Sequence, residues 1–173
     1  MKIIKTKIKD LEIIRLKKIS DKRGYFSRIF DLRIFKTKFQ NIKQINVSMS
    51  KQKFTLRGLH YQNYPFQEDK IVTCIKGKLF DVAVDLRKNS KTYGKWKSIV
   101  LSENDGKMFF IPKGFAHGFL TLKSNTKVCY LVSQFYNKKF ESGFLYNDPF
   151  FSIKWPYKPK VISKKDSSWS IKK

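Results

Sequence analysis

Cysteine and long apolar runs are both scarce in this chain of 173 residues. The two cysteines, Cys74 and Cys129, are too few for a disulfide framework, and they suit a reducing compartment. The longest apolar runs span four or five residues, such as 108–111, whereas about 20 are needed to cross a bilayer. Lysines interrupt the apolar residues of segment 1–14, which makes it a poor signal peptide. We therefore expect a cytoplasmic protein without a membrane partner.

Acidic residues are also few, with 13 Asp and Glu against 38 Lys and Arg and a formal net charge of +25. Such a charge would ordinarily favour nucleic-acid binding. However, 32 of the 38 basic residues are lysines spread along the chain, whereas arginine is favoured for bidentate contacts to phosphates and bases. We therefore expect no nucleic-acid partner, and a positive field that suits an acidic small molecule. The alternative, a nucleic-acid-binding β-domain, predicts an affinity that falls steeply with salt.

The chain has no internal repeat and no linker rich in proline or glycine, so a single domain over residues 1–173 is predicted. Helical periodicity is scarce. One short helix is predicted around Asp31 to Phe39, where Leu32, Phe35 and Phe39 fall on one face. Aromatic residues make up 16% of the chain, which favours strands and a pocket lined by rings.

Most of the remaining chain alternates in the manner of short strands. In Lys78–Leu86, apolar side chains alternate with Asp81 and Asp85 at the period of two that marks a strand. Turn signals separate it from further predicted strands, which are Trp96–Leu101, Lys107–Ile111, Gly118–Leu122 and Lys127–Phe135. Many short strands with tight turns predict an all-β fold, a jelly-roll β-sandwich or barrel with a few short helices and an interior that can hold a ligand.

One segment sharpens this prediction. Residues 106–117 follow the second cupin motif, in which a glycine is followed after five residues by Pro-x-Gly and after two more by a histidine, here His117. The first cupin motif would add two histidines and a glutamate near position 60. His60 is the only other histidine, and Gln62 stands where the next would be. We therefore expect no metal; elemental analysis would test the alternative, a metal-dependent cupin.

Segment 57–62 holds the densest set of polar side chains. His60 carries an imidazole whose ordinary pKa of about 6.5 allows it to accept a proton near neutral pH. Arg57 could hold a phosphate in a bidentate way. The alternative is a structural histidine near the end of a strand.

Several other positions also have both a chemical and a structural interpretation. Arg23 could bind a phosphate and Phe26 could stack on a base, or the two could mark a turn before a strand. Tyr130 is either a core ring with its hydroxyl at the rim or a proton donor into the pocket. Asp166 is either functional or an exposed residue of the tail. Lys70 enters a predicted strand and, as one of 32 lysines, means little by itself.

Nine short segments follow one another along the chain. They are Arg-Gly-Tyr-Phe (23–26), Gln-x-Asn-x-Ser (44–48), Leu-Arg-Gly-Leu-His-Tyr-Gln (56–62), Phe-Asp-Val-Ala-Val-Asp-Leu-Arg (80–87), Ser-x-Thr-Tyr-Gly-x-Trp (90–96), Ile-Pro-x-Gly-Phe-Ala-His-Gly-Phe (111–119), Asn-Asp-Pro (147–149), Trp-Pro (155–156) and Ile-Ser-x-Lys-Asp (162–166). Any one of these segments is weak evidence for a family. In this order, over essentially the whole chain, they resemble the dTDP-4-dehydrorhamnose 3,5-epimerase family. The resemblance implies a cupin jelly-roll homodimer without metal or organic cofactor. It also implies an isomerase acting on a nucleotide-linked 4-keto-6-deoxy sugar, in the pathway to L-rhamnose and related surface sugars.

The resemblance implies catalytic roles for four residues. His60 corresponds to the base that removes the C5 and C3 protons, and Asp166 to the carboxylate paired with it. Tyr130 corresponds to the acid that returns a proton on the opposite face, and Lys70 to the cation near the C4 oxygen. These residue types suit the chemistry, because a fixed cation stabilises an enolate oxygen and an acid facing a base inverts the centre.

The resemblance also implies a set of substrate contacts. These are Arg23, Phe26, Gln44, Asn46, Arg57, His117, Tyr136 and Glu141. Arg23 and Arg57 correspond to contacts with the diphosphate, and Phe26 and Tyr136 to contacts with the base or sugar. Because family dimers exchange their N-terminal strands, we expect Arg23 and Phe26 to reach the site of the partner subunit.

One departure from the family pattern bears on specificity. Arg28 stands where many members carry a glutamate at the nucleobase end of the pocket, which leaves the nucleotide open and does not touch the catalytic set. The sequence does not decide whether C3, C5 or both are inverted, since the same base and acid serve both centres. The alternatives are therefore a mono-epimerase on a different nucleotide 4-keto sugar and a non-catalytic cupin that binds a nucleotide sugar.

Overall fold

The computed structural model describes residues 1–35, 39 and 41–172. Within them the chain forms thirteen strands and two short helices. The strands are β1 (Lys2–Lys5), β2 (Glu12–Arg15), β3 (Lys18–Asp21), β4 (Gly24–Ser27), β5 (Gln44–Ser50), β6 (Leu56–Gln62), β7 (Lys70–Lys76), β8 (Lys78–Asp85), β9 (Trp96–Ser102), β10 (Lys107–Ile111), β11 (Phe115–Thr121), β12 (Thr126–Val132) and β13 (Glu141–Gly143). The helices are α1 (Leu32–Phe35) and α2 (Lys164–Ser167). No helix among the described residues is long and apolar enough to cross a membrane.

The prediction of an all-β chain is confirmed, with shifts at some strand ends. The bounds of β10 match the prediction, whereas β11 begins at Phe115 instead of Gly118 because Phe115 already pairs with Asp85 of β8. The strand predicted over Lys127–Phe135 ends at Val132. There the chain turns away, and the Ser133 hydroxyl contacts the Asp69 carboxylate.

The helix predicted around Asp31 to Phe39 is observed over Leu32–Phe35. The carbonyl of Asp31 accepts hydrogen bonds from the amides of Ile34 and Phe35, which begins the helical turn. The remainder of the predicted helix includes residues 36–38, which lie outside the described residues.

Two sheets lie face to face and enclose the core. One has six strands in the order β1-β2-β10-β7-β12-β5, and the other has five in the order β13-β6-β11-β8-β9. From β5 to β13 the chain crosses from one sheet to the other at every connection except that between β8 and β9. This is the winding of a jelly roll. The hairpin β3-β4 forms a separate two-stranded sheet.

The core fills only one end of the space between the sheets. There, apolar side chains from both sheets pack together, among them Leu79, Leu101, Phe109, Ile111 and Val128, each at most 1% exposed. At the other end the inward positions carry polar side chains, so the interior opens there into a cavity. The β5 strand shows the change, since its inward residues are Gln44, Asn46 and Ser48.

A buried carboxylate fastens the loop after β8. Asp85 accepts hydrogen bonds from the Arg87 guanidinium and from the hydroxyls of Ser90 and Thr92. Burial by itself would raise the pKa of Asp85, but these hydrogen bonds outweigh it and lower the pKa to about 2. Arg87 also bonds Asp10, at 2.9 Å, so the same cluster fixes the turn between β1 and β2.

Candidate active site

The open end of the sandwich forms a cavity of about 780 Å³, within the size range of small-molecule sites. Ten of the twelve predicted site residues line it. They are Gln44, Asn46, Arg57, His60, Lys70, His117, Tyr130, Tyr136, Glu141 and Asp166. Eight of them lie on strands, which are brought together by the pairing of β5, β12 and β7 in one sheet and of β13, β6 and β11 in the other, whereas Tyr136 and Asp166 lie outside the strands.

A bulge in β6 turns two of these residues into the cavity together. Side chains three positions apart on a regular strand point to opposite faces. Opposite β11, however, His117 pairs with His60 whereas Phe119 pairs with Arg57, so β6 contains one extra residue between these pairs. This bulge lets both Arg57 and His60 line the cavity.

The bulge depends on Gly58. Its φ is +112°, a conformation that side-chain-bearing residues rarely adopt, and a Cβ there would lie 2.6 Å from the Gly118 Cα. Gly118 is equally crowded, since its Cβ would lie 2.8 Å from the Arg57 carbonyl oxygen. The two glycines therefore let β6 and β11 approach each other closely at the β6 bulge.

His60 and Asp166 form a close pair at the cavity wall. The His60 Nε2 donates to the Asp166 Oδ1 at 2.6 Å, and the Gly58 amide donates to Oδ2 at 3.2 Å. Burial would raise the pKa of Asp166, but the hydrogen bond and charge of His60, the Gly58 amide and the charge of Lys165 lower it below its ordinary value. The carboxylate is therefore ionised at neutral pH and orients the imidazole, with Nδ1 as the other ring nitrogen.

Asp166 is buried, so its interpretation as an exposed tail residue is wrong: only 3% of it is exposed. It lies in α2, whose N-cap is Ser163, and the Ser163 hydroxyl accepts a hydrogen bond from the Asp166 amide at 3.0 Å. The cap fixes the turn that directs the carboxylate inward.

Lys70 lies at the start of β7 and pairs with Glu68 at 2.9 Å. Both side chains are largely buried, with 14% and 11% exposed. A buried ammonium needs a partner of opposite charge, and Glu68 supplies it without occupying all three donors of the lysine. Lys70 therefore retains donors that can face a ligand.

Tyr130 projects inward from β12, between Asn46 of β5 and Val72 of β7. Burial raises the pKa of its phenol, the negative charge of Glu68 raises it further, and Arg57 opposes the shift. The phenol is consequently protonated at neutral pH. It can act as a proton donor in the cavity.

A second histidine–carboxylate pair lies beside the first. His117 donates from Nε2 to the Asp81 Oδ1 at 2.5 Å, and Asp81 is fully buried in β8. The other oxygen of Asp81 is buried and has no hydrogen-bond partner within the described residues. The cavity thus contains two imidazoles on facing positions, each held by its own carboxylate.

Polar side chains at the mouth of the cavity form a connected group. Glu141 accepts from the Lys165 ammonium at 2.6 Å and from the Tyr136 hydroxyl at 2.8 Å. Burial would raise the pKa of Glu141, but these two hydrogen bonds outweigh it and lower the pKa, whereas the bond to Glu141 raises the pKa of Tyr136. The Gln44 side chain accepts from the Tyr136 amide at 2.8 Å, so this group links β5, β13 and α2.

The Arg57 guanidinium is held at the edge of the cavity. It donates to the Ser50 hydroxyl at 3.3 Å and to the Met49 carbonyl at 3.1 Å. No carboxylate is paired with it within the described part of the chain, so its charge is available to an anion.

Arg23 and Phe26 are not part of this cavity. They lie on the β3-β4 hairpin, where Arg23 pairs with Asp21 at 2.6 Å and Phe26 is 59% exposed. Arg28 directly follows β4. Its guanidinium lies 6.0 Å from the centre of the Phe26 ring and 3.7 Å from the Asp31 carboxylate.

Several residues in or beside the cavity were not found from the sequence. Glu68 precedes Lys70 by two positions in extended chain, so the two side chains share a face. Asp81 falls on the inward face of β8, a strand with clear alternation of polar and apolar residues. Both residues could therefore have been found from the period of two of a strand. Ser48 follows the same period in β5, and its buried hydroxyl has no partner among the described residues. Lys165 and Trp169 carry no such signal, since they lie in the tail around α2.

Gln62 has a structural role at the place of a cupin metal ligand. Its amide donates to the carbonyls of Phe66 and Phe135, and its oxygen accepts from the Asn137 amide at 2.7 Å. Within the described residues, no three His, Cys, Asp or Glu side chains are grouped as metal ligands would be.

Known proteins resemble the chain over almost its whole length. A family model described as dTDP-4-dehydrorhamnose 3,5-epimerase matches residues 5–172. The chain is 44% identical to the dTDP-4-dehydrorhamnose 3,5-epimerase of Sinorhizobium fredii, over 93% of this chain and 84% of that protein.

Solved structures agree with this likeness. The dTDP-4-dehydrorhamnose 3,5-epimerase of Bacillus anthracis, with TDP and PPi bound, has a TM-score of 0.94 at 35% identity, over 98% of each chain. The dTDP-6-deoxy-D-glucose-3,5-epimerase of Legionella pneumophila, in complex with dTDP-4-keto-L-rhamnose, has a TM-score of 0.92 at 38% identity, over 98% of this chain and 92% of that chain. The cupin-type jelly roll expected from the sequence is confirmed.

Proposed function

The chain belongs to the dTDP-4-dehydrorhamnose 3,5-epimerase family, and we propose that it converts dTDP-4-dehydro-6-deoxy-D-glucose to dTDP-4-dehydro-L-rhamnose by inverting C5 and C3. It is an enzyme of the isomerase class, an epimerase. The observation that carries the mechanism is the convergence of a histidine–carboxylate pair, a lysine and a protonated tyrosine on one cavity.

His60 is the proposed base. Asp166 occupies Nε2, so Nδ1 accepts the proton from C5, and the electrons of the broken C–H bond move into the C4–C5 bond and onto the C4 oxygen. The charge of Asp166 stabilises the imidazolium that forms. A positioned base of this kind contributes roughly 10²–10⁴-fold to the rate.

Lys70 is the proposed partner of the enolate oxygen. A proton next to a ketone is acidic only when the negative charge on the oxygen is stabilised, and a cation fixed in a low-dielectric cavity does this best. The ion pair with Glu68 at 2.9 Å supports this role, because it holds the ammonium in place before substrate binds.

Tyr130 is the proposed acid. Its phenol donates a proton to C5 on the face opposite His60, the enolate collapses to the ketone, and the centre is inverted. Solvent then reprotonates the phenolate and deprotonates the imidazolium. The same two groups act at C3 after the sugar shifts or rotates, and no oxidant or reductant is required.

We also propose that the active form is a homodimer with exchanged N-terminal strands. The single chain leaves apolar side chains uncovered on the β3-β4 hairpin and on the outward face of the edge strand β5. The exposed residues are Ile19, Tyr25 and Phe26 on the hairpin and Ile45, Val47 and Met49 on β5, with exposures between 42% and 64%. Such patches favour burial against another protein surface, and a second copy of the chain is the proposed cover.

In the dimer, the hairpin carries Arg23 and Phe26 into the cavity of the partner subunit. There they join Arg57 in binding the diphosphate and the base. This arrangement explains why these two residues are distant from the cavity of their own chain.

Proton NMR of the protein with dTDP-4-keto-6-deoxyglucose in D₂O tests the function. We expect the H5 and H3 signals to disappear with the wild-type protein and to persist with the His60→Ala variant. Reduction of the product by a following reductase reveals which centres are inverted. Loss of H5 or H3 alone identifies a mono-epimerase. If neither signal is lost, GDP-, CDP- and UDP-linked ketosugars are tried, and binding without exchange on all of them identifies a non-catalytic cupin.

A further inference from the structure

Trp169 follows α2 on the tail, and its side chain lies beside the His60 imidazole. Its indole meets the His60 imidazole edge to face, with ring centres 6.1 Å apart and planes at 69°. The Lys165 ammonium lies 6.0 Å from the centre of the same indole. Trp169 does not line the cavity, so it contacts His60 from outside the space that a ligand would occupy.

Gly143 makes room for the indole. It pairs directly with His60 across β13 and β6. A Cβ on Gly143 would lie 2.5 Å from the indole Cε2 and 2.6 Å from Nε1, and it would also strike the Leu59 carbonyl oxygen. The indole therefore packs on bare backbone beside His60, in a place that any side chain at position 143 would occupy.

The indole is held there by packing and not by a hydrogen bond. Its Nε1 is buried and has no partner within residues 1–35, 39 and 41–172. An unpaired buried N–H is costly, so the site retains the ring for its shape and contact with its neighbours.

The tail is fastened on both sides of Trp169. Before it, Ser163 caps α2 and Asp166 bonds His60. After it, the Leu145 amide donates to the Ser170 carbonyl at 3.4 Å, and the Lys172 amide donates to the buried Asp148 carboxylate at 2.5 Å. The position of the indole is thus set by contacts on either side.

We propose that Trp169 is a positioning residue for the epimerisation, which holds the His60 imidazole against Asp166 with its second nitrogen directed at the substrate. The inference rests on the proposed function, since it assigns His60 as the base. A small rotation of the base away from the reacting C–H bond costs rate without loss of binding. Trp169 restricts that rotation because its indole packs against the imidazole, with ring centres 6.1 Å apart and planes at 69°.

Exchange kinetics in D₂O test the proposal with three variants. In Trp169→Ala, we expect kcat for H5 exchange to fall by about 10- to 100-fold while KM stays within about 2-fold. Trp169→Phe keeps a ring against His60 and should restore most of kcat. The control is Ile171→Ala, on the same tail and 51% exposed, which should behave as wild type. An unchanged kcat in Trp169→Ala overturns the proposal.

A second readout needs no substrate. The chain has only two histidines, so imidazole NMR signals are readily assigned, and His117 serves as an internal control. In Trp169→Ala or, should that variant not fold, Trp169→Leu, the imidazole ¹⁵N shifts of His60, which report the proton on Nε2 and are nearly insensitive to the ring current of the lost indole, should move and those of His117 should stay. Equal movement of both, or of neither, overturns the proposal. If wild type lacks exchange on every ketosugar, the proposed function fails, and this measurement alone decides whether Trp169 orients His60.

Discussion

His60 and His117 stand directly opposite each other on β6 and β11, and each donates from Nε2 to a different buried carboxylate. The two pairs differ in where the carboxylate comes from. Asp81 is on the strand next to His117, whereas Asp166 arrives from the tail, 106 residues away from His60 along the chain. Only the second pair depends on how the tail docks, so the two imidazoles should respond differently to mutation.

Replacing each histidine by asparagine should separate their roles. His60→Asn removes the proposed base, and we expect H5 exchange to fall by about 10²–10⁴-fold. His117→Asn keeps the base and should retain measurable exchange with a raised KM, because it alters only a wall of the cavity. Steady-state exchange rates in D₂O measure both. Equal losses of kcat in the two variants would contradict the assignment of His60 as the single base.

Tyr130→Phe should uncouple exchange from inversion. The variant keeps His60 and Lys70, so the C5 proton is still removed and returned by the base on the same face. We expect deuterium incorporation to continue while formation of the inverted product falls by about 10²–10⁴-fold. Product stereochemistry is measured after trapping with a reductase. Inversion at the wild-type rate would assign the acid to another group.

Glu68→Gln should move the alkaline limb of the pH–rate profile. Glu68 raises the pKa of Tyr130, so its neutralisation lowers that pKa and the phenol loses its proton at a lower pH. Because the proposed acid works only when protonated, kcat should decline at lower pH than in wild type. Glu103→Gln is the matched control, since Glu103 pairs with Lys123 at 4.0 Å outside the cavity. An alkaline limb that does not move would separate Tyr130 from the rate.

Acid should weaken the fold through Asp85. Its pKa is lowered to about 2, so it contributes stability that is fully present above the ordinary pKa of 3.8 and is lost as the pH falls toward 2. The shift corresponds to about 2 kcal/mol in the free energy of unfolding. Asp85→Asn should lose a similar amount at pH 7 and show a flatter pH dependence in urea titrations. Asp21→Asn, on an exposed hairpin, should change little.

Mixed dimers should reveal whether sites are shared between subunits. Arg23→Ala and His60→Ala are each expected to be nearly inactive. When the two variants are unfolded together and refolded, one site of each mixed dimer has both residues intact, so activity should return. The control mixture, His60→Ala with Lys70→Ala, should stay inactive because both residues line the cavity of one chain. Activity in neither mixture would place Arg23 outside the partner's site.

Much of the fold could be predicted because a strand's period is local. The alternation in Lys78–Leu86 marked β8, and the motif that ends at His117 marked the turn between β10 and β11. The predicted start of β11 and the predicted end of β12 each differ from the structure by three residues. The reason is that pairing with a neighbouring strand decides where a strand begins and ends.

The amino-acid sequence by itself determined the strand pattern, the identities of the polar groups and their order along the chain. Tertiary structure alone decided which of them meet. The β6 bulge turns Arg57 and His60 to one face, and the docked tail buries Asp166 at 2.6 Å from His60 and packs Trp169 on Gly143. These relationships depend on contacts between segments up to about a hundred residues apart, and periodicity carries no information about such contacts.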